Sequence, residues 1–234
     1  MSNIGKFLLL GGGGFSIDAD PAMDRYLVQL VPKPRPSICF VPTASGDSEN
    51  YCRRFREAFT SLGCDVHVLS LFKPLVADLR GFLEGMDIVF VGGGNTKNLL
   101  ALWREWKLDE AILAASRAGT LVSGVSAGLI CWFQEGITDS EYGPFKPLQG
   151  IGHLRGLAAP HFDSTLERQA VFEKRFAETA FDVGYGVPDG VAVEFEAGMF
   201  VRSVSARDGA GVHVYSRSGD GRVLRRLLLA ERIS

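Results

Sequence analysis

Long runs of any kind are missing from this sequence. Its 25 basic and 27 acidic residues are interspersed, and no lysine or arginine run is long enough to follow a phosphate backbone, which argues against nucleic acid as a partner. No apolar run is long enough to span a bilayer. The first residues, MSNIGKFLLLGGGG, carry one lysine and a short apolar stretch before four glycines, so neither a signal peptide nor a membrane anchor is expected there. Cysteine is scarce and never spaced C-x-x-C. Cys39, Cys52, Cys64 and Cys131 mostly sit among apolar neighbours, as reduced core cysteines do in the cytoplasm. H-E-x-x-H is absent and the four histidines are scattered, so no metal site or other cofactor is expected. There is no internal repeat, no low-complexity linker and no break in composition, and residues 1–234 read as a single α/β domain.

What is present is a regular alternation. Short apolar runs at 6–10, 37–42, 64–71, 86–94, 119–125, 154–160 and 181–187 read as buried strands. Between them lie helical spacings such as Tyr51, Phe55, Ala58, Phe59 and Leu62, or Leu99, Leu100, Leu102 and Trp103. Such alternation predicts a three-layer fold, a mostly parallel sheet flanked by helices, with ligands at the carboxyl ends of the strands. After about residue 188 the pattern turns to short glycine-punctuated strands, read as C-terminal β-hairpins closing the sheet edge.

Three stretches carry chemistry. TLVSGVSAGLICWF (120–133) places Ser126 between Gly124 and Gly128, the G-x-S-x-G pattern of a nucleophile elbow, though small residues also close ordinary strand-to-helix turns. VGGGNTKNLL (91–100) follows a strand and opens a helix. Its backbone N–H groups suit a developing oxyanion, while Asn95 or Thr96 would serve equally as a helix cap. GGGGFS (11–16) misses the third glycine of a dinucleotide fingerprint, because Ser16 or Ile17 stands there. It reads as a tight turn lining a site.

A serine nucleophile needs a base and an acid. His67 alternates within a strand, His153 lies in a glycine-flanked loop, and His213 lies in a late antiparallel strand. His161 follows LRGLAAP at a strand's carboxyl end, on the same rim as Ser126. The acid is Asp139, Asp163 or Asp189. Asp163 precedes a helical stretch and is expected to cap it, and Asp189 stands in a Pro-Asp-Gly sequence that is also a common turn.

Taken together, VGGGNTKNLL, GVSAG and APHFDS, in this order and spacing, resemble the peptidase E family, serine exopeptidases that include α-aspartyl dipeptidase and, more distantly, cyanophycinase. The resemblance spans roughly residues 6–205 and implies a class I glutamine amidotransferase-like fold with serine in place of the nucleophilic cysteine. It also implies Ser126 as nucleophile, His161 as base and the N–H groups of Gly94 and Ala127 as the oxyanion hole. The family's Pro-Glu-Gly turn reads Pro188-Asp189-Gly190 here, which makes Asp189 the triad acid. Asp139 matches a second acidic position and is the alternative. Asn95 and Arg168 become the substrate-binding residues. Arg168 follows His161 by only seven residues, a shorter spacing than in the aspartyl dipeptidase, and its rival reading is a solvated helix face among Glu167, Glu173 and Lys174.

The expectation is a cytoplasmic serine dipeptidase acting on small peptides, with some preference for Asp-X, and with assembly as a homodimer left open. One rival is an α/β-hydrolase esterase in the chain order Ser126, Asp189, His213. The other is a non-catalytic, amidotransferase-like binding protein.

Overall fold

In the computed structural model, residues 5–16 and 21–234 are described. The start of the leader reading and Ile17 of the first glycine loop lie outside them.

Five strands form the parallel heart of the molecule. They are β1 (Lys6–Leu10), β2 (Ser37–Val41), β3 (Asp65–Val68), β4 (Ile88–Val91) and β5 (Leu121–Val125), arranged β1-β5-β4-β2-β3. Every residue of β4 and β5 is buried, which is why these strands read as unbroken apolar runs: both faces are covered. Alternation still sorts the two faces. Leu8, Leu10, Ile38, Phe40, Ile88 and Phe90 pack against Phe55 and Phe59 of α2 (Glu49–Ser61) and Met23 and Leu27 of α1 (Ala22–Gln29). Phe7, Leu9, Cys39, Val41, Val89 and Val91 face the other way, toward α3 (Leu79–Glu84), α4 (Thr96–Trp106) and α5 (Leu108–Ala118).

The helix-flanked, mostly parallel architecture is as expected, but the strands divide between two sheets. Residues Leu154–Ala159 (β8) and Val183–Gly186 (β9) do not join β1–β5. They pair with each other in a second, six-stranded sheet, in which β8 also pairs with β6 (Phe133–Thr138) and β6 with the bordering β7 (Lys146–Gln149). The C-terminal hairpins also part. β10 (Val191–Glu196) and β11 (Met199–Ser205) run antiparallel beside β1 and close that edge of the first sheet. The hairpin of β12 (Gly211–Arg217) and β13 (Val223–Leu229) extends the second sheet beyond β9. The two sheets share one core through Trp132, Phe133, Leu154 and Ala158. The outer face of the second sheet is covered by α7 (Leu166–Glu178), whose Phe172 and Phe176 pack on Ile137, Leu157 and Tyr215. Among the described residues no helix is long and apolar enough to cross a membrane.

Candidate active site

Ser126 stands at the carboxyl end of β5, immediately before the short helix α6 (Ala127–Ile130). Its backbone has φ 56° and ψ −107°, a conformation sparsely populated by residues with a side chain. The flanking glycines answer the question their spacing raised. A Cβ on Gly124 would come within 2.4 Å of the Gly128 carbonyl oxygen, and one on Gly128 within 2.2 Å of the Val91 carbonyl oxygen, so the strands and α6 cross at backbone contact. The Ser126 N–H donates to the Leu10 carbonyl at 3.1 Å, fixing the elbow to β1.

His161 emerges two residues beyond the end of β8. Its φ of 48° is positive too, and its N–H donates to the Gly11 carbonyl at 3.2 Å. Its Nδ1 lies 2.5 Å from Asp189 Oδ1. Asp189 sits on the link between β9 and β10, where the chain passes from the second sheet back to the first. The hydrogen bond to His161, with the charges of His161, Arg168 and Arg207, outweighs burial and holds the Asp189 carboxyl below the usual carboxylate range.

The first glycine loop lines the site as a tight turn. Gly12 forms a bridge with Asp189 and its carbonyl accepts the Gly190 N–H at 3.0 Å. A Cβ on residue 12 would lie 1.9 Å from Asp189 Oδ1 and 2.6 Å from His161 Nδ1.

Ser126, His161, Gly94, Asn95, Asp139 and Arg168 all line one cavity of about 370 Å³, with Thr96, Thr138, Ser140 and Pro160 completing its polar wall. Gly94 reaches it from the loop after β4, and Ala127, as the first residue of α6, has an N–H with no acceptor inside its own helix. Asn95 caps α4: its Oδ1 accepts the Asn98 N–H at 2.9 Å while its Nδ2 donates to the Ser140 carbonyl at 2.8 Å. Both ends of the side chain are thus occupied, and cap and cavity wall are the same residue. A larger cleft of about 760 Å³ lies at the opposite, amino ends of the strands and contains none of these residues.

Two readings of charged residues need correction. Arg168 is not on a solvated face: it is 5% exposed, because it shares the inward stripe of α7 with Phe172 and Phe176. Its Nη1 donates to the Pro160 carbonyl at 2.7 Å, its Nη2 lies 3.5 Å from Asp139 Oδ2, and its guanidinium covers the Phe145 ring at 4.4 Å. Burial pulls its pKa down, and Asp139 and Asp189 pull the other way. Asp163 does not cap α7. Thr165 does, accepting the Arg168 N–H at 3.3 Å, while Asp163 Oδ1 accepts the Asp189 N–H at 3.2 Å.

Asp139 shares the cavity, while the other three histidines do not line it. Asp139 faces Arg168, and its carboxylate is largely exposed. His213 Nδ1 takes the Arg225 guanidinium at 3.2 Å and its ring packs on Phe162, so the esterase order finds its histidine engaged elsewhere. His67 pairs with Asp65 at 3.5 Å on β3. Half-buried His153 is held toward its neutral form by burial. Among the described residues no group of three or more His, Cys, Asp and Glu side chains could hold a metal ion.

The arrangement brings a serine in a sparsely populated backbone conformation and an imidazole backed by a carboxylate to one small cavity. Comparison with known proteins bears on the family. The sequence profile of peptidase family S51 matches residues 7–202. The uncharacterized peptidase YgaJ of Bacillus subtilis is 44% identical over 206 residues, 88% of this chain and 89% of that protein. Peptidase E of Streptomyces coelicolor is 39% identical over 92 residues, 39% of this chain and 36% of its own length. Among solved structures, a peptidase from an acI-B1 actinobacterium superposes with a TM-score of 0.71 at 18% identity, covering 99% of this chain and 96% of the other. A protein described as a peptidase E from Listeria monocytogenes does so with a TM-score of 0.64 at 19% identity, covering 86% and 98%. At such identities these two likenesses speak to the fold.

Proposed function

Since the chain belongs to peptidase family S51 and so is a serine-type peptidase, we propose that it is a dipeptidase of the cytoplasm working through Ser126, His161 and Asp189. The reading rests on one observation: a serine in a strained elbow shares a cavity of about 370 Å³ with an imidazole whose Nδ1 is 2.5 Å from a carboxylate.

Asp189 accepts from Nδ1 of His161 and so leaves Nε2 as the basic nitrogen. As Ser126 Oγ attacks the scissile carbonyl carbon, Nε2 takes its proton. The carbonyl oxygen becomes an oxyanion facing the N–H groups of Gly94 and Ala127. On collapse the C–N bond breaks and His161 returns the proton to the leaving amine. Water then attacks the acyl-enzyme by the same route, releasing the acid and restoring Ser126. The small cavity favours short peptides, and Arg168 in its wall favours an acidic group on the substrate, consistent with an Asp-X preference.

A library of dipeptides and tripeptides digested by the purified protein and read by mass spectrometry tests the proposal, alongside labelling by a fluorophosphonate. Expected are cleavage of short peptides, acidic ones fastest, and a label on Ser126 that Ser126→Ala does not take. A protein that neither cleaves nor labels would be a binding protein over an inert elbow.

A further inference from the structure

The side chain of Asp189 meets His161, but its backbone is gripped from a different direction. Its N–H donates to Asp163 Oδ1 at 3.2 Å, and its carbonyl accepts from Arg207 Nη1 at 2.5 Å. The same Nη1 lies 3.4 Å from Asp163 Oδ2, which closes a ring around the peptide unit of the acid. Arg207 is anchored in turn. Its N–H donates to Ser205 Oγ at 3.0 Å, and that buried hydroxyl donates to the Gly190 carbonyl at 2.7 Å, one residue past the acid.

The origins of these groups matter. Asp163 lies two residues after His161, in the turn that carries the base. Ser205 ends β11, and Arg207 follows it. The ring therefore ties the base's own turn to the acid's link and to the hairpin beside β1, and it fixes the separation of the two side chains through their backbones. An isolated ion pair this exposed would contribute little. Here each partner spends a further hydrogen bond on Asp189, leaving neither backbone polar group of that residue to water alone.

We propose that Asp163 and Arg207 are positioning residues for the Asp189–His161 pair, an inference that rests on the triad reading above. Neither touches the cavity. They act on the rate by holding the carboxylate within hydrogen-bonding reach of Nδ1.

The test is kinetic and spectroscopic. Arg207→Met and Asp163→Ala should each lower kcat by about tenfold to a hundredfold, the scale expected when a catalytic group shifts by about an ångström. KM should stay within about twofold, since ground-state binding is untouched. Arg207→Lys, which keeps a cationic donor, should recover most of the loss. In the substrate-free protein, the far-downfield proton NMR signal of the His161 Nδ1–H, identified by its loss in Asp189→Ala, should shift or broaden in Arg207→Met and return in Arg207→Lys. Unchanged kcat and unchanged signal in Arg207→Met would overturn the inference. So would a fall in kcat that tracks a fall in Tm while the signal stays put. Because the signal needs no substrate, it decides the inference even if Ser126→Ala proves fully active and the peptidase scheme is what fails.

Discussion

Gly12 and Asp189 approach so closely that a methyl group on residue 12 would occupy the space of the Asp189 carboxylate, 1.9 Å from its Oδ1. Gly12→Ala should therefore disable the site without altering any side chain that takes part in it. Either the carboxylate moves off His161 or the loop moves off both, and a displacement of about an ångström costs on the order of a hundredfold in kcat/KM. Gly219→Ala, where a Cβ meets nothing within 4 Å, is the matched control and should retain full activity. Equal activities for the two variants would mean that the pair is not used.

Ser126 offers a trade between rate and stability. Ser126→Ala should reduce turnover by about a millionfold, the usual cost of losing a triad nucleophile, while leaving the circular dichroism spectrum unchanged. Ser126→Gly should be equally inactive but more stable than Ser126→Ala by about 1 kcal/mol, since φ 56° and ψ −107° burden a residue with a Cβ and not glycine. Urea unfolding of the two variants reads the difference. The opposite order would show that the elbow stores no strain.

The depressed carboxyl of Asp189 makes a pH signature. Its ionised form is favoured more in the folded than in the unfolded chain, chiefly by the hydrogen bond to His161. That stabilisation is complete above the ordinary aspartate pKa of about 4 and is lost as pH falls through the lower folded value. Asp189→Asn should thus be less stable than the parent near neutrality, and the gap should narrow progressively in unfolding curves taken at falling pH below about 4. A gap that is constant with pH would assign the contribution of Asp189 to packing.

For Arg168, specificity and stability should fall together. Arg168→Met strips the Pro160 carbonyl of its donor, which should cost about 1–3 kcal/mol in urea unfolding. Turnover of acidic peptides should fall by about tenfold to a thousandfold and that of neutral peptides much less. An equal loss on all peptides would instead place Arg168 as a brace for Pro160, and through it for His161.

Much of this was legible in the residues because parallel strands covered on both faces have a plain signature. Phe7–Leu10 and Ile38–Val41 are unbroken apolar runs and are found as the buried strands they predict. The partition into two sheets was not legible. Leu154–Ala159 and Val183–Gly186 are mostly buried like β1, and their partners are set by long-range register rather than by anything local. Phe133–Thr138 has no apolar signature of its own, because Gln134, Glu135 and Gly136 break the run. The burial of Arg168 left a signal that its charged neighbours masked: Arg168, Phe172 and Phe176 repeat at the four-residue spacing of one helix face. Arg207 left none, since it is brought to Asp189 by the return of the β10–β11 hairpin.

The passage of the chain from one sheet to the other at Asp189 bears on how the protein gains its activity after synthesis. Ser126 leaves the first sheet, His161 leaves the second, and Asp189 lies on the crossing between them. An intermediate in which only one sheet has consolidated would hold native-like strands and no working centre. On dilution from denaturant, hydrolysis should return later than the far-ultraviolet signal, in step with the burial of Trp132 between the sheets, so that enzymatic turnover marks the final docking event of folding.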